Sequence, residues 1–202
     1  RIYIESGIIG HTFITTGEGT NTKVYTYGRY GEFYPISSGV TIVKYTPTGE
    51  GILVIGYGEQ AADYLQYIYE KDNISIFEIP SADEAKVDSY FNELFNNGKT
   101  KENSSSKLDQ KVIDEYSLLT NNCTTISIDA INYAKGDIPT SSIMIMPYGQ
   151  IQTMNVNIIK PSQLNNQLNI DPDVNKVEDP YSFLINLINN LNTANQWNLK
   201  IN

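Results

Sequence analysis

The chain carries one cysteine and one histidine. Cys123 stands in TNNCTTISID and His11 in GIIGHTFITT. A thiol and an imidazole within hydrogen-bond reach can perform nucleophilic catalysis. The imidazole takes the thiol proton, the sulfur attacks a carbonyl carbon, and the proton returns to the leaving group. One cysteine excludes an internal disulfide and any two-cysteine or four-cysteine zinc site, and one histidine leaves too few soft ligands for another metal centre. The expectation is chemistry with no metal and no cofactor.

The position of Cys123 strengthens its candidacy. Asn122 is a good helix cap, so a helix over about 123–135 begins at the cysteine, with Ile126, Ala130, Ile131 and Ala134 on its buried face and Gly136 as its stop. The first N–H groups of a helix lack partners and carry partial positive charge. There they stabilise a thiolate, lowering the thiol pKa, and N–H groups at 123–124 can receive the oxyanion of a tetrahedral intermediate. The competing reading is a buried, inert cysteine, a common state for a lone one. For His11 the competing reading is a sheet histidine bonded to a carbonyl.

A third residue must orient the imidazole. The β-rich run 2–16, the turn GEGTNT at 17–22 and the run 23–31 read as a hairpin. Pairing about that turn brings His11 opposite residues 27–29. Tyr27, Arg29, Tyr30 and Glu32 are the orienter candidates: Glu32 has the strongest chemistry and Tyr27 the nearer register. Asn122, Thr124, Arg29 and Tyr30 flank these groups and are candidates for substrate contacts.

Further elements complete the frame. VTIVKY at 40–45 and ILVIGY at 52–57 read as strands, 59–71 as a helix and ISIFEIP at 74–80 as a strand. The run 81–98 is the clearest helix, with Ser81 and Glu84 as a capping box, a Val87, Phe91, Leu94 and Phe95 stripe, and Gly98 as its stop. KTKENSSSK at 99–107 reads as a surface loop. A last helix spans 179–192, with Pro180 at its first position and Phe183, Leu184, Leu187, Ile188 and Leu191 in its stripe. The fold class is α+β: an antiparallel sheet packed against a helix that carries the cysteine at its N-terminus.

The 202 residues suit a single domain with a core over about 1–136 and a C-terminal elaboration over 137–202. A net charge of −9 repels phosphate backbones, so nucleic acid is not an expected partner. No stretch approaches the ~20 apolar residues of a membrane span, so no stable membrane insertion is expected. Fifteen tyrosines offer faces and hydroxyls to a substrate groove, although most fit ordinary sheet packing.

Taken together, GHTFITT, the Gly-rich turn, YTYGRYG and YSLLTNNCTTISIDAI resemble the circularly permuted branch of the NlpC-type papain-like superfamily, over residues 7–136. In that branch the histidine strand precedes the cysteine helix, as His11 precedes Cys123 here. The resemblance implies a permuted papain-like fold and a cysteine hydrolase. Its phrasing is most like antibacterial effector domains of polymorphic toxins, including type VI secretion effectors. A start at Arg1 fits a domain excised from such a chain. The implied substrate is the peptide part of bacterial peptidoglycan. The implied partners are an immunity protein and secretion machinery, and the implied location is secreted, delivered to the periplasm of a target bacterium. The alternatives are an acyltransferase or a protein-directed cysteine protease inside the target cell, or a non-enzymatic binding module. The His-His-Cys set of the acyltransferase group has no second histidine here.

Overall fold

A computed structural model describes residues 1–5, 10–30, 48–70, 74–101, 108–118, 120–134, 164–165, 168–169, 174–177 and 180–193. Among these residues the chain forms β1 (Ile2–Glu5), β2 (His11–Thr16), β3 (Lys23–Gly28), β4 (Thr48–Tyr57), α1 (Glu59–Tyr69), β5 (Ile74–Glu78), α2 (Glu84–Asn97), β6 (Lys99–Thr100), β7 (Asp109–Ser117), α3 (Cys123–Tyr133), β8 (Asn175–Lys176) and α4 (Pro180–Thr193). The fold is α+β. One sheet runs β6-β7-β4-β3-β2-β1-β5-β8, and every pairing in it is antiparallel.

Helices cover both faces of this sheet, and strand alternation decides which side chain meets which helix. In β2, Ile14 joins the core shared with α2 and α3, and Phe13 joins the core shared with α1 and α4. A sheet covered on both sides leaves its central strands no solvent face. Accordingly β2 and β3 are buried at every position after their first. Their β-branched and aromatic residues fit such a doubly packed surface. Tyr3 stacks on Phe13 at 4.5 Å on the α1 face, and Tyr25 stacks on Phe91 of α2 at 4.5 Å on the other.

The hairpin expected around 17–22 is β2–β3, closed by a short 3-10 turn at Gly19–Asn21. Gly17, at φ +72, makes room there: a Cβ on it would stand 2.4 Å from the Asn21 carbonyl oxygen. The strand expected at 40–45 lies outside the described residues. Helix α2 starts later than the Ser81–Glu84 capping box implies. Its cap is Asp83, whose carboxylate accepts from the N–H of Ala85 at 2.9 Å and of Lys86 at 3.3 Å. Two N–H groups of the helix start are thereby satisfied by one carboxylate. Asp88, on the same helix, accepts from Thr16 Oγ1 at 2.6 Å and Tyr25 Oη at 2.8 Å and pairs with Lys23, tying α2 to β2 and β3.

The expected loop over 99–107 begins instead with β6, which pairs with β7. The nine residues of β7 carry too many charges to stand out as a strand, yet they pair with β4 from Thr48 to Ile55. The last third enters the core on both sides. Leu164 and Leu168 pack in the α2–α3 layer, and Leu184, Leu187 and Ile188 pack in the α1 layer. Among the described residues no helix is long and apolar enough to cross a membrane.

Candidate active site

The two asparagines before the cysteine have separate structural tasks. Asn121 clamps the turn between β7 and α3. Its Nδ2 donates to the Glu115 carbonyl at 2.9 Å, to Asp114 Oδ2 at 3.2 Å and to Tyr27 Oη at 3.2 Å. Its backbone bridges Ser117 in both directions. Asn122 caps α3: Oδ1 accepts from the N–H of Thr124 at 2.9 Å and of Thr125 at 3.1 Å, and the Asn122 N–H donates to Thr125 Oγ1 at 2.8 Å. Cys123 is therefore the first residue of a firmly capped helix.

The helix is docked on β2 by one buried pair. Thr124 Oγ1 lies 3.1 Å from Thr12 Oγ1. That contact brings Cys123 beside Thr12, the second residue of the strand. Thr124 Oγ1 stands 4.0 Å from the cysteine sulfur, and the nearby Thr12, Thr124 and Cys123 backbone N–H groups favour the thiolate. Cys123 is only 6% exposed.

These groups compete over the thiol. Burial pushes its pKa above the ordinary value, and the Thr12, Thr124 and Cys123 donors pull it down without overcoming burial. This corrects the expectation of a lowered value. A helix start activates a thiol when water reaches it; here desolvation of the thiolate is the larger effect.

His11 sits at the first position of β2, behind Gly10, whose φ of +68 suits glycine. Its ring rises on the α1 side, over Phe13 at 6.1 Å. Its Nε2 lies 2.7 Å from Thr26 Oγ1 and 3.0 Å from Tyr30 Oη. Thr26 Oγ1 in turn meets Tyr30 Oη at 2.5 Å and accepts from Tyr64 Oη of α1 at 3.3 Å. Tyr30 reaches back because Gly28 leaves space. A Cβ on Gly28 would lie 3.1 Å from Tyr30 Cζ. A thiolate on Cys123 would repel, to a small extent, the ionised forms of Tyr64 on the α1 side and Tyr27 on the other face. Both phenols are pushed well above their ordinary value, chiefly by burial.

The residues singled out from sequence fare differently. Tyr27 does not orient His11. The β2–β3 register pairs Phe13 with Thr26, so even-numbered β3 residues share the His11 face and Tyr27 points away. Its ring packs on Tyr116 at 5.7 Å, and its hydroxyl occupies the space above Gly51, where a Cβ would stand 2.0 Å away. Glu32 lies outside the described residues. Tyr30 belongs to the imidazole cluster. Arg29 lies against Gly49, where a Cβ would stand 2.7 Å from the guanidinium carbon. Asn122 and Thr124 are committed to capping and docking the helix, which makes them supports of the site. The N–H of Thr124 belongs to the cap, so the Cys123 N–H is the helix-start donor available to an oxyanion. Sequence reasoning missed Thr26 and Tyr64. Thr26 was findable, because alternation in the same hairpin puts it diagonally across from His11. Tyr64 was not, because it comes from a helix remote in sequence.

A cavity of about 320 Å³ opens at the opposite end of β2, lined by Thr15, Thr16, Glu78, Pro80, Glu84 and Ile131 among others. Neither Cys123 nor His11 lines it. Among the described residues no cluster of three His, Cys, Asp or Glu side chains is placed to hold a metal ion. No family model, no curated protein and no solved structure matches the chain.

Proposed function

We propose that the chain is a cysteine hydrolase of permuted papain-like design that cleaves amide bonds, with the peptide part of bacterial peptidoglycan as its substrate. The observation that carries the reading is the docking of the Cys123 helix start on the strand that begins with the chain's one histidine. Cys123 is the nucleophile and His11 the base. The thiol proton passes to imidazole Nδ1 as sulfur bonds to the carbonyl carbon. The carbonyl electron pair moves to oxygen, which accepts from the Cys123 N–H. Collapse breaks the C–N bond, and the imidazolium gives its proton to the departing amine. Water, deprotonated by the same imidazole, then cleaves the thioester and releases a carboxylic acid.

The raised thiol pKa fits a thiol that keeps its proton at rest, with the thiolate forming as the substrate carbonyl arrives. The acidic chain suits a target other than nucleic acid. By resemblance the domain is a secreted antibacterial effector acting in the periplasm, with a cognate immunity protein and a secretion machine as partners.

One observation favours a second reading. A sulfur this buried also suits a non-enzymatic module that keeps the fold.

The test is incubation with purified sacculi and mass spectrometry of the released muropeptides. Cleavage is expected from the native protein. Cys123→Ala and His11→Ala each lower it by about 10³-fold or more, since only binding and oxyanion contributions remain. Expression in the periplasm of a susceptible bacterium should lyse it, and expression confined to the cytoplasm should be tolerated. Cytoplasmic toxicity with intact muropeptides would replace the cell-wall reading with an intracellular protease or acyltransferase.

A further inference from the structure

We propose that Thr26, backed by Tyr30 and Tyr64, is a positioning residue that holds neutral His11 as the tautomer protonated on Nε2, leaving Nδ1 as the basic nitrogen. The inference deepens the proposed role of His11 and rests on that reading for its catalytic meaning, although not for its test.

The argument is a proton count around one hydroxyl. A threonine hydroxyl has one proton to give and two lone pairs to accept with. Three groups converge on Thr26 Oγ1: His11 Nε2 at 2.7 Å, Tyr30 Oη at 2.5 Å and Tyr64 Oη at 3.3 Å. The Tyr64 hydroxyl donates, which uses one lone pair. If Thr26 gives its proton to Tyr30 Oη, the second lone pair is open to an N–H from His11. Every contact is then served, the one between Tyr30 Oη and Nε2 at 3.0 Å by sharing the same N–H. If instead Thr26 gave its proton to an unprotonated Nε2, Tyr30 would have to donate back into the second lone pair, and no proton would stand between Tyr30 Oη and Nε2 at 3.0 Å. Nδ1 would then carry the ring proton, and the imidazole could not take one from sulfur on that side.

Burial makes a contact without a proton costly, which favours the first arrangement. Thr26 is 1% exposed and Tyr64 6% exposed, so water does not easily replace a mismatched partner. Tyr30 Oη also lies 3.0 Å from Nε2, so an Nε2–H is shared between two acceptors in the first arrangement. The ring is held from three segments: β3 through Thr26, the segment after it through Tyr30, and α1 through Tyr64 acting on Thr26. Among the described residues, the titratable groups placed around the ring are Glu5, its register partner on β1, and Tyr30, with Tyr64 behind Thr26.

The chain's single histidine makes the test direct, because ring ¹⁵N labelling of histidine reports one imidazole. Two-dimensional ¹H–¹⁵N spectra of the intact protein, at a pH where the ring is neutral, are expected to show a protonated Nε2 and an unprotonated Nδ1. Thr26→Val keeps the β-branched shape and removes the hydroxyl. It should move both nitrogens toward the averaged shifts of a mixed population, and Thr26→Ser should restore the native pattern. Tyr64→Phe should give a smaller change of the same kind. With an active preparation, Thr26→Val should lower kcat by roughly 10- to 100-fold with little change in KM, the size of a misplaced group. A native ring protonated on Nδ1 would overturn the proposal. So would Thr26→Val spectra identical to the native ones, or a tautomer scrambled by Glu5→Gln but not by Thr26→Val, which would transfer the role to Glu5. An inactive protein with the Nε2–H signature would sink the hydrolase reading and leave the positioning role intact.

Discussion

At the scale of single residues, burial and hydrogen bonding pull the Cys123 thiol in opposite directions, and burial prevails. Alkylation by iodoacetamide should therefore be slower at neutral pH than for a free thiol, and its rate should rise through a midpoint above the ordinary ~8.5. A midpoint below that value would show that the helix start and His11 dominate after all. The same shift links to stability. The folded state holds the thiol proton more tightly than the unfolded chain does. This contribution is fully present below the unfolded pKa and is lost as pH rises through the folded one. Cys123→Ala should consequently flatten part of the alkaline fall in Tm, measured by thermal denaturation across that window. Tyr27 shows the opposite lesson. Its register was legible and its face was wrong, because neighbouring residues of a strand point to opposite sides.

At the scale of elements, the site depends on how α3 starts and how β3 ends. Asn122 serves as cap and as anchor, with Nδ2 also donating to the Leu118 carbonyl at 3.1 Å. Asn122→Ala should cost about 1–2 kcal/mol of stability, visible as a lower denaturant midpoint. Activity should fall further than stability explains, because the helix start positions the sulfur. At the end of β3, Gly28 makes room for the Tyr30 ring. Gly28→Ala should displace Tyr30 from His11 while the sheet stays paired. Far-UV circular dichroism should be unchanged, and turnover should drop by about tenfold or more if the ring moves by as much as an ångström.

At the scale of the whole molecule, the last third of the chain is joined to both packed layers. Leu164, Leu168, Leu184, Leu187 and Ile188 are all buried. At about 1.5–3 kcal/mol for each buried aliphatic side chain, their contribution is on the order of 10 kcal/mol. That rivals the 5–15 kcal/mol by which whole domains are stable. A chain cut after residue 136 should therefore lose cooperative unfolding and bind a hydrophobic dye such as ANS. A truncated chain with a sharp, native-like transition would show that the C-terminal segment decorates an independent core.

The sequence by itself determined the local features. The helix start at Cys123, the hairpin that follows His11, the α2 stripe and the α4 helix beginning at Pro180 depend on caps, turns and periodicity within a few residues, and those signals stand in the sequence. It also singled out Cys123 and His11, since a unique thiol and a unique imidazole need no structure to be noticed. Only the tertiary structure decided what surrounds them. The Thr12–Thr124 contact, the burial that raises the thiol pKa and the arrival of Tyr64 from α1 join residues far apart in the chain. Strand β7 was hidden for a related reason: its pairing with β4 comes from a distant partner, and its own residues carry no strand pattern strong enough to announce it. Local propensity is a property of neighbours in sequence, whereas desolvation and long-range hydrogen bonding exist only once the sheet has closed between its helices.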